Sequence, residues 1–268
     1  MVANEDCFKY LETFDKRIDL VVSDPPYGIS FDATAHMESS DWDKMSREEY
    51  TSFITKYLSL CREKLTDNGS VWLFFAPSMA DELFEAAKKS GLCLHLDCWK
   101  SFCRQKGRGA KSKLKSLRED FVLMTKDKDN FVRNDVDNIL SHKETTTNIL
   151  DSYTGDVERP KIKFDDTIWC FKMPYYLSKT EKQIHSCQKS ILMLYTLIMR
   201  SSSKNDVVFD GFAGSGSCAI AAKLAGRDFY GCELDKDMCC KANEWVSNFD
   251  YNGYRRSFLR DSSWFGRY

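Results

Sequence analysis

The chain has 268 residues, 43% hydrophobic and 29% charged, an ordinary globular balance with enough apolar material for a sizeable core. Its formal net charge of −1 excludes an overall basic surface, and no apolar stretch approaches the ~20 residues of a membrane span. MVANEDCFKY carries acids where a secretory signal would be apolar, so the eleven cysteines read as reduced thiols of a cytoplasmic protein.

The first predicted strand is residues 18–24, IDLVVSD, a β-branched apolar run of the kind a parallel sheet buries on both faces. DPPYG cuts it off, because proline cannot donate to a ladder. A polar loop over 28–45 follows. Ser46 and Glu49 then make an S-x-x-E capping box ahead of Tyr50, Phe53, Ile54, Tyr57, Leu58 and Cys61, which share one helix face. LTDNGS reads as a turn, VWLFFA (71–76) as a buried strand, and 79–90 as a helix stopped by Gly91. LCLHLDCW is another strand. Its Cys93, His95 and Cys98, with Cys103 beyond, lack a paired metal-ligand spacing, so no metal is expected.

From Lys100 to Arg118 eight basic residues occur without one acid: Lys100, Arg104, Lys106, Arg108, Lys111, Lys113, Lys115 and Arg118. Gly107 and Gly109 break any helix through them. The run reads either as a solvated loop or as an arm that neutralises phosphates. DFVLMTK is a further strand, and residues 127–175 are polar and irregular, an insertion rather than more sheet.

A helix is expected over 188–200. After it comes a sharp α/β unit: strand DVVFDGF, glycine turn AGSGS, helix 217–225, stop Gly226, strand DFYGCEL. The tail from Trp245 to Tyr268 is rich in aromatics and arginine, suited to packing on a sheet edge, meeting a second subunit, or fraying. Strand and helix alternate, so the class is α/β with a mainly parallel, doubly wound sheet.

Two loops carry chemistry. In DGFAGSGS, Gly214, Ser215 and Gly216 stand between a strand and a helix, where glycine lets a ligand approach the backbone closely. Glu233 ends the next strand, 17 positions beyond Gly216, where a carboxylate can take both hydroxyls of a ribose. The turn is not G-x-G-x-x-G, and Asp210 would repel a pyrophosphate. A ligand with a cationic part, such as S-adenosylmethionine, suits it better than a dinucleotide. In Asp24-Pro25-Pro26-Tyr27, the prolines fix the backbone so that the Asp24 carboxylate and Pro25 carbonyl form a stiff acceptor pair beside an aromatic ring. Such a pair can hold the two hydrogens of an exocyclic amine and free its lone pair.

DPPY followed much later by D-x-F-x-G-S-G resembles the S-adenosylmethionine-dependent DNA amino-methyltransferases, in the order of the permuted β class. Glu5-Asp6-Cys7 stands where the family carries G-D-C, HSCQKS (185–190) is similar to H-P-T-Q-K-P, and LREDFVLMTK has Glu119 at the place of the family's acid. DWD at 41–43 also matches. The resemblance implies a class I, Rossmann-like fold, circularly permuted, with a small irregular insertion. Residues 1–126 would be the catalytic half, 127–175 the target-recognition insertion, 176–244 the cofactor half and 245–268 a tail. It implies catalysis by Asp24, Pro25, Pro26 and Tyr27. Cofactor contacts would come from Asp6 (to the adenine), Cys7, Lys189 (to the methionine carboxylate), Asp210, Phe212, Gly214, Ser215, Gly216 and Glu233, and phosphate contacts from Arg104, Lys106, Arg108, Lys111, Lys113 and Lys115.

The implied substrate is double-stranded DNA with its target base flipped out, and no membrane is involved. The family also allows a homodimer and a cognate restriction nuclease as partners. Asp before PPY accompanies adenine N6 in the family, whereas Ser there accompanies cytosine N4, and Ser23 stands one place early. Alternatives are a cytosine-N4 enzyme, an RNA or protein-amide methyltransferase, and a binding module with a vestigial cofactor pocket.

Overall fold

The computed structural model describes residues 1–29, 43–108, 116–134, 168–170, 184–185 and 187–258. Strand β1 (Val2–Asn4) leads into helix α1 (Cys7–Thr13), and β2 (Ile18–Ser23) stops where the prolines begin. Helix α2 (Arg47–Lys64) opens on the expected capping box: the Glu49 amide donates to Ser46 Oγ at 3.1 Å and the Ser46 amide to Glu49 Oε2 at 2.8 Å. Next come β3 (Leu65–Phe75), a 3-10 turn (Pro77–Met79) and α3 (Ala80–Ser90), which Gly91 ends at φ 77°. Strands β4 (Cys93–Arg108), β5 (Ser116–Thr125) and β6 (Ile168–Cys170) follow. The remaining elements are α4 (Ile191–Ser201), β7 (Val207–Asp210), α5 (Ser217–Leu224), β8 (Asp228–Glu233), α6 (Lys236–Asn248) and α7 (Tyr251–Phe258).

The strands form one sheet in the order β1-β8-β7-β2-β3-β5-β4-β6. Neighbours from β1 to β3 are parallel, and β5 runs antiparallel to both β3 and β4. Side chains alternate between two buried layers as period 2 requires. Leu20, Val22, Trp72, Phe74, Phe121 and Val208 face α4 and α5, while Val21, Val71, Leu73, Phe75, Val122 and Phe209 face α1, α2 and α3. Burial on both faces explains why these strands read as continuous apolar runs. Each fully buried large side chain contributes about 1.5–3 kcal/mol. The Trp72 indole meets its polar requirement by donating to Ser201 Oγ at 2.8 Å.

Four details depart from the sequence reading. LTDNGS lies within β3: Ile18 pairs with Leu65 and Leu20 already with Ser70, so exposed Asp67 and Asn68 bulge out of the strand. The basic run is not simply a loop, for β4 continues through Arg104, Lys106 and Arg108, with Arg108 paired to Ser116; Lys111, Lys113 and Lys115 lie outside the described residues. Within 127–175, β6 pairs parallel with β4 and so extends the sheet. The boundary drawn at 244/245 falls inside α6, and Trp245, Phe249 and Tyr254 continue the core in a chain of ring contacts at 6.0 and 5.4 Å. His95 donates to or accepts from Thr125 Oγ1 at 2.7 Å, and no metal-holding cluster occurs among the described residues.

Candidate active site

Strands β2 and β7 are neighbours, with Leu20 opposite Val208 and Val21 opposite Phe209. From its carboxyl end β2 leads through α2 to β3 on one side, and β7 leads through α5 to β8 on the other. The sheet therefore changes direction between them, and a ligand crevice opens at such a point. Both chemical loops leave the sheet here, although 185 positions separate Asp24 from Phe209 in sequence. The Gly211 amide donates to Ser23 Oγ at 3.2 Å, and Ser23 Oγ also bonds the Tyr57 hydroxyl at 2.7 Å.

The DPPYG corner is held from below. Pro25 is buried, and Asp24, Pro25, Pro26 and Tyr27 line the crevice. The Tyr27 hydroxyl donates to Asp24 Oδ1 at 2.5 Å. Asp43, 1% exposed, accepts the Tyr27 amide at 2.7 Å and the Gly28 amide at 2.8 Å. Gly28 sits at φ 68°, and a Cβ there would lie 3.1 Å from the Tyr50 ring, so the turn requires glycine.

Across the crevice, Asp210 accepts the Phe212 amide at 3.0 Å, and burial pushes its carboxyl up to about 7 against the lowering effect of that bond. Glu233 accepts the Gly214 amide at 2.9 Å through Oε2 and the Asp235 amide at 2.9 Å through Oε1, and burial raises its carboxyl too. Gly216 adopts φ 82° at the start of α5, with a would-be Cβ 3.1 Å from Val246 of α6. Ser215 and Ser217 share a hydroxyl bond at 2.9 Å. On the far rim Asp6 caps α1 through the Phe8 and Lys9 amides at 3.0 and 3.2 Å, and burial pushes the Cys7 thiol up to about 12.

Asp6, Cys7, Asp24, Pro25, Pro26, Tyr27, Asp43, Asp210, Phe212, Gly214, Ser215, Ser217 and Glu233 line one cavity of about 1170 Å³, whereas Gly216 shapes its turn from outside that lining. Its acids are Glu5, Asp6, Asp24, Asp43, Glu119, Asp210, Glu233, Asp235 and Asp237, against Lys189, Lys241 and His185 as bases. Such a lining repels phosphates and attracts a ligand carrying sulfonium and ammonium charge. The cavity thus fits S-adenosylmethionine in size and in charge.

Lys189 lines the same crevice. The motif likeness points it at a methionine carboxylate, but its buried ammonium meets two carboxylates, Asp24 Oδ2 and Glu119 Oε2, the latter at 3.1 Å. It lies 5.0 Å from the Phe74 ring centroid and 5.9 Å from that of Tyr27. Asp43 stands out in the sequence only as part of DWD, and its support of the DPPYG amides has no local sequence signal. Nor does the Ser23 bridge, which depends on two strands meeting.

A family model described as DNA methylase matches residues 18–244. The type II methyltransferase M1.MboII of Moraxella bovis is 26% identical over 261 residues, covering 92% of this chain and 96% of its own length. The DNA adenine methyltransferase YhdJ of Escherichia coli (strain K12) is 26% identical over 229 residues, with 82% of this chain and 73% of that relative covered. Among solved structures, that of an M1.HpyAVI–SAM complex superposes with a TM-score of 0.63 at 20% identity, covering 93% of this chain and 99% of the other.

Proposed function

This chain belongs to the DNA methylase family, and we propose that within it the protein transfers a methyl group from S-adenosylmethionine to the N6 amine of a flipped-out adenine in double-stranded DNA. The single observation that carries the reading is the adjacency of β2 and β7, which sets the rigid acceptor Asp24 and the acidic glycine-loop cavity on one crevice. When bound, the cofactor supplies an electrophilic methyl group whose sulfonium leaves as a neutral thioether.

The chain's own residues do the rest. Asp24 and the Pro25 carbonyl would hold the two hydrogens of the amine and so free its lone pair to take the methyl group, the sulfur that gives it up keeping the electron pair of the broken bond. The amine nitrogen then carries one proton too many, and Asp24 is placed to accept it and pass it to solvent. Tyr27 presents its ring to the extruded base. Orientation and preorganised acceptors account for the catalysis, with no covalent enzyme intermediate.

Adenine is preferred to cytosine because the residue before Pro25-Pro26-Tyr27 is Asp24, and because the Ser23 hydroxyl is committed to Gly211 and Tyr57 inside the sheet. A relative named a DNA adenine methyltransferase supports the same choice. The order in which the chain visits its strands, with the DPPY strand before the glycine-loop strand, supports the permuted arrangement. We assign 127–175 to target recognition and the basic hairpin arm to phosphate contact. A homodimer or a cognate nuclease is compatible with this role. The test is incubation with methyl-labelled cofactor and DNA, RNA or protein, followed by identification of the labelled base. Label on N6 of adenine in DNA is expected; label only on cytosine, RNA or protein, or on none of them, rejects the proposal.

A further inference from the structure

Both oxygens of Asp24 accept a donor: Oδ1 the Tyr27 hydroxyl and Oδ2 the Lys189 ammonium. The Asp24 side chain is only 23% exposed, so an incoming amine competes with these two donors for the few open directions at its oxygens. Lys189 has a second carboxylate within reach. Its ammonium already touches Glu119 Oε2 at 3.1 Å on strand β5, and it is 7% exposed, so it cannot retreat into solvent. A buried ammonium that left one carboxylate without reaching another would bear the full cost of an unpaired charge. The Phe74 ring 5.0 Å away favours the cation at either position.

We propose that Lys189 is a positioning residue that occupies the amine subsite of Asp24 at rest, and that Glu119 is the carboxylate onto which its ammonium shifts when the target amine arrives. The exchange keeps one cation between two acids throughout, and it holds Asp24 oriented until substrate replaces it. This deepens the methyltransferase reading and rests on it.

The test combines Glu119→Gln, Lys189→Met and the double variant, with kcat, KM for DNA and cofactor Kd measured for each. Glu119→Gln removes the receiving carboxylate, so Lys189 stays on Asp24 and KM for DNA rises about tenfold or more, with a smaller effect on kcat. Lys189→Met leaves Asp24 and Glu119 facing each other as like charges and lowers kcat. The double variant removes both defects and recovers about tenfold in kcat/KM over the worse single variant, with cofactor Kd within about threefold of the parent throughout. A double variant no better than the worse single, or a cofactor Kd that weakens in step with activity in Lys189→Met, overturns the inference. Thermal denaturation of the same unliganded variants reads the pair without any turnover. Non-additive Tm shifts support the Lys189–Glu119 contact and additive ones sink it, even if the parent protein transfers no methyl to DNA and the broader reading fails separately.

Discussion

The Gly211 amide reaches across from the glycine loop to the Ser23 hydroxyl at 3.2 Å, one residue before Asp24. This bond ties the glycine loop to the strand that carries the DPPYG corner. Ser23→Ala leaves the buried Gly211 N–H without that acceptor and should cost about 1–3 kcal/mol, read as a fall in Tm. Because the hydroxyl serves the sheet, the preference for adenine over cytosine should not change. A switch towards cytosine in the variant would return Ser23 to the base-reading role.

Asp43 supports the DPPYG corner through the Tyr27 and Gly28 amides. Asp43→Ala should lower kcat by about 10–100-fold, since small misplacement of a reacting geometry is that costly. Cofactor Kd should stay within about threefold, because the contacts are on the amine side of the crevice. Asp43→Asn, which keeps one acceptor oxygen, should recover part of the loss. Steady-state kinetics and calorimetric titration of the cofactor separate the two effects.

Asp210 gives a pH dependence of definite sign. Burial raises its carboxyl from 3.8 to about 7, so across that window the folded protein holds a proton that the unfolded chain has released. Its contribution to ligand-free stability is therefore greatest at the acid end and is lost as pH rises towards 7. A cationic ligand reverses the preference by favouring the ionised form. Cofactor Kd should thus tighten as pH rises from about 6 to about 8, by at most about tenfold per unit below the folded pKa. Asp210→Asn should bind weakly and flatten the profile, whereas an unchanged slope in the variant would place the titration elsewhere.

Neutralising Lys111, Lys113 and Lys115 should weaken DNA binding alike across sequences and reduce the salt slope by about 0.9 for each phosphate that a lysine no longer neutralises. Binding measured over a range of salt concentrations checks this. An unchanged slope returns the arm to solvation alone.

The α/β class, the two chemical loops and most element types are legible because local patterns carry them: continuous apolar strands, the Ser46–Glu49 box, Gly91 and the prolines. The long reach of β4 is hidden because Gly107 and a run of basic residues look like a loop, yet pairing with β5 supplies the ladder that propensity does not. The partners of Lys189 are hidden for another reason. Residues 24, 119 and 189 meet only once β2, β5 and the turn before α4 are packed together, whereas motif likeness points the lysine at the cofactor. Long-range electrostatics has no sequence period.

Everything functional depends on Asp24 acting on the amine rather than shaping the pocket. The most direct measurement is single-turnover methyl transfer to adenine-containing DNA by Asp24→Ala, with cofactor Kd measured on the same sample. The expected result is loss of transfer by a factor of about 10³ or more, with cofactor affinity within about threefold of the parent. Transfer persisting near the parent rate would contradict it, as would a loss explained wholly by failure to bind the cofactor.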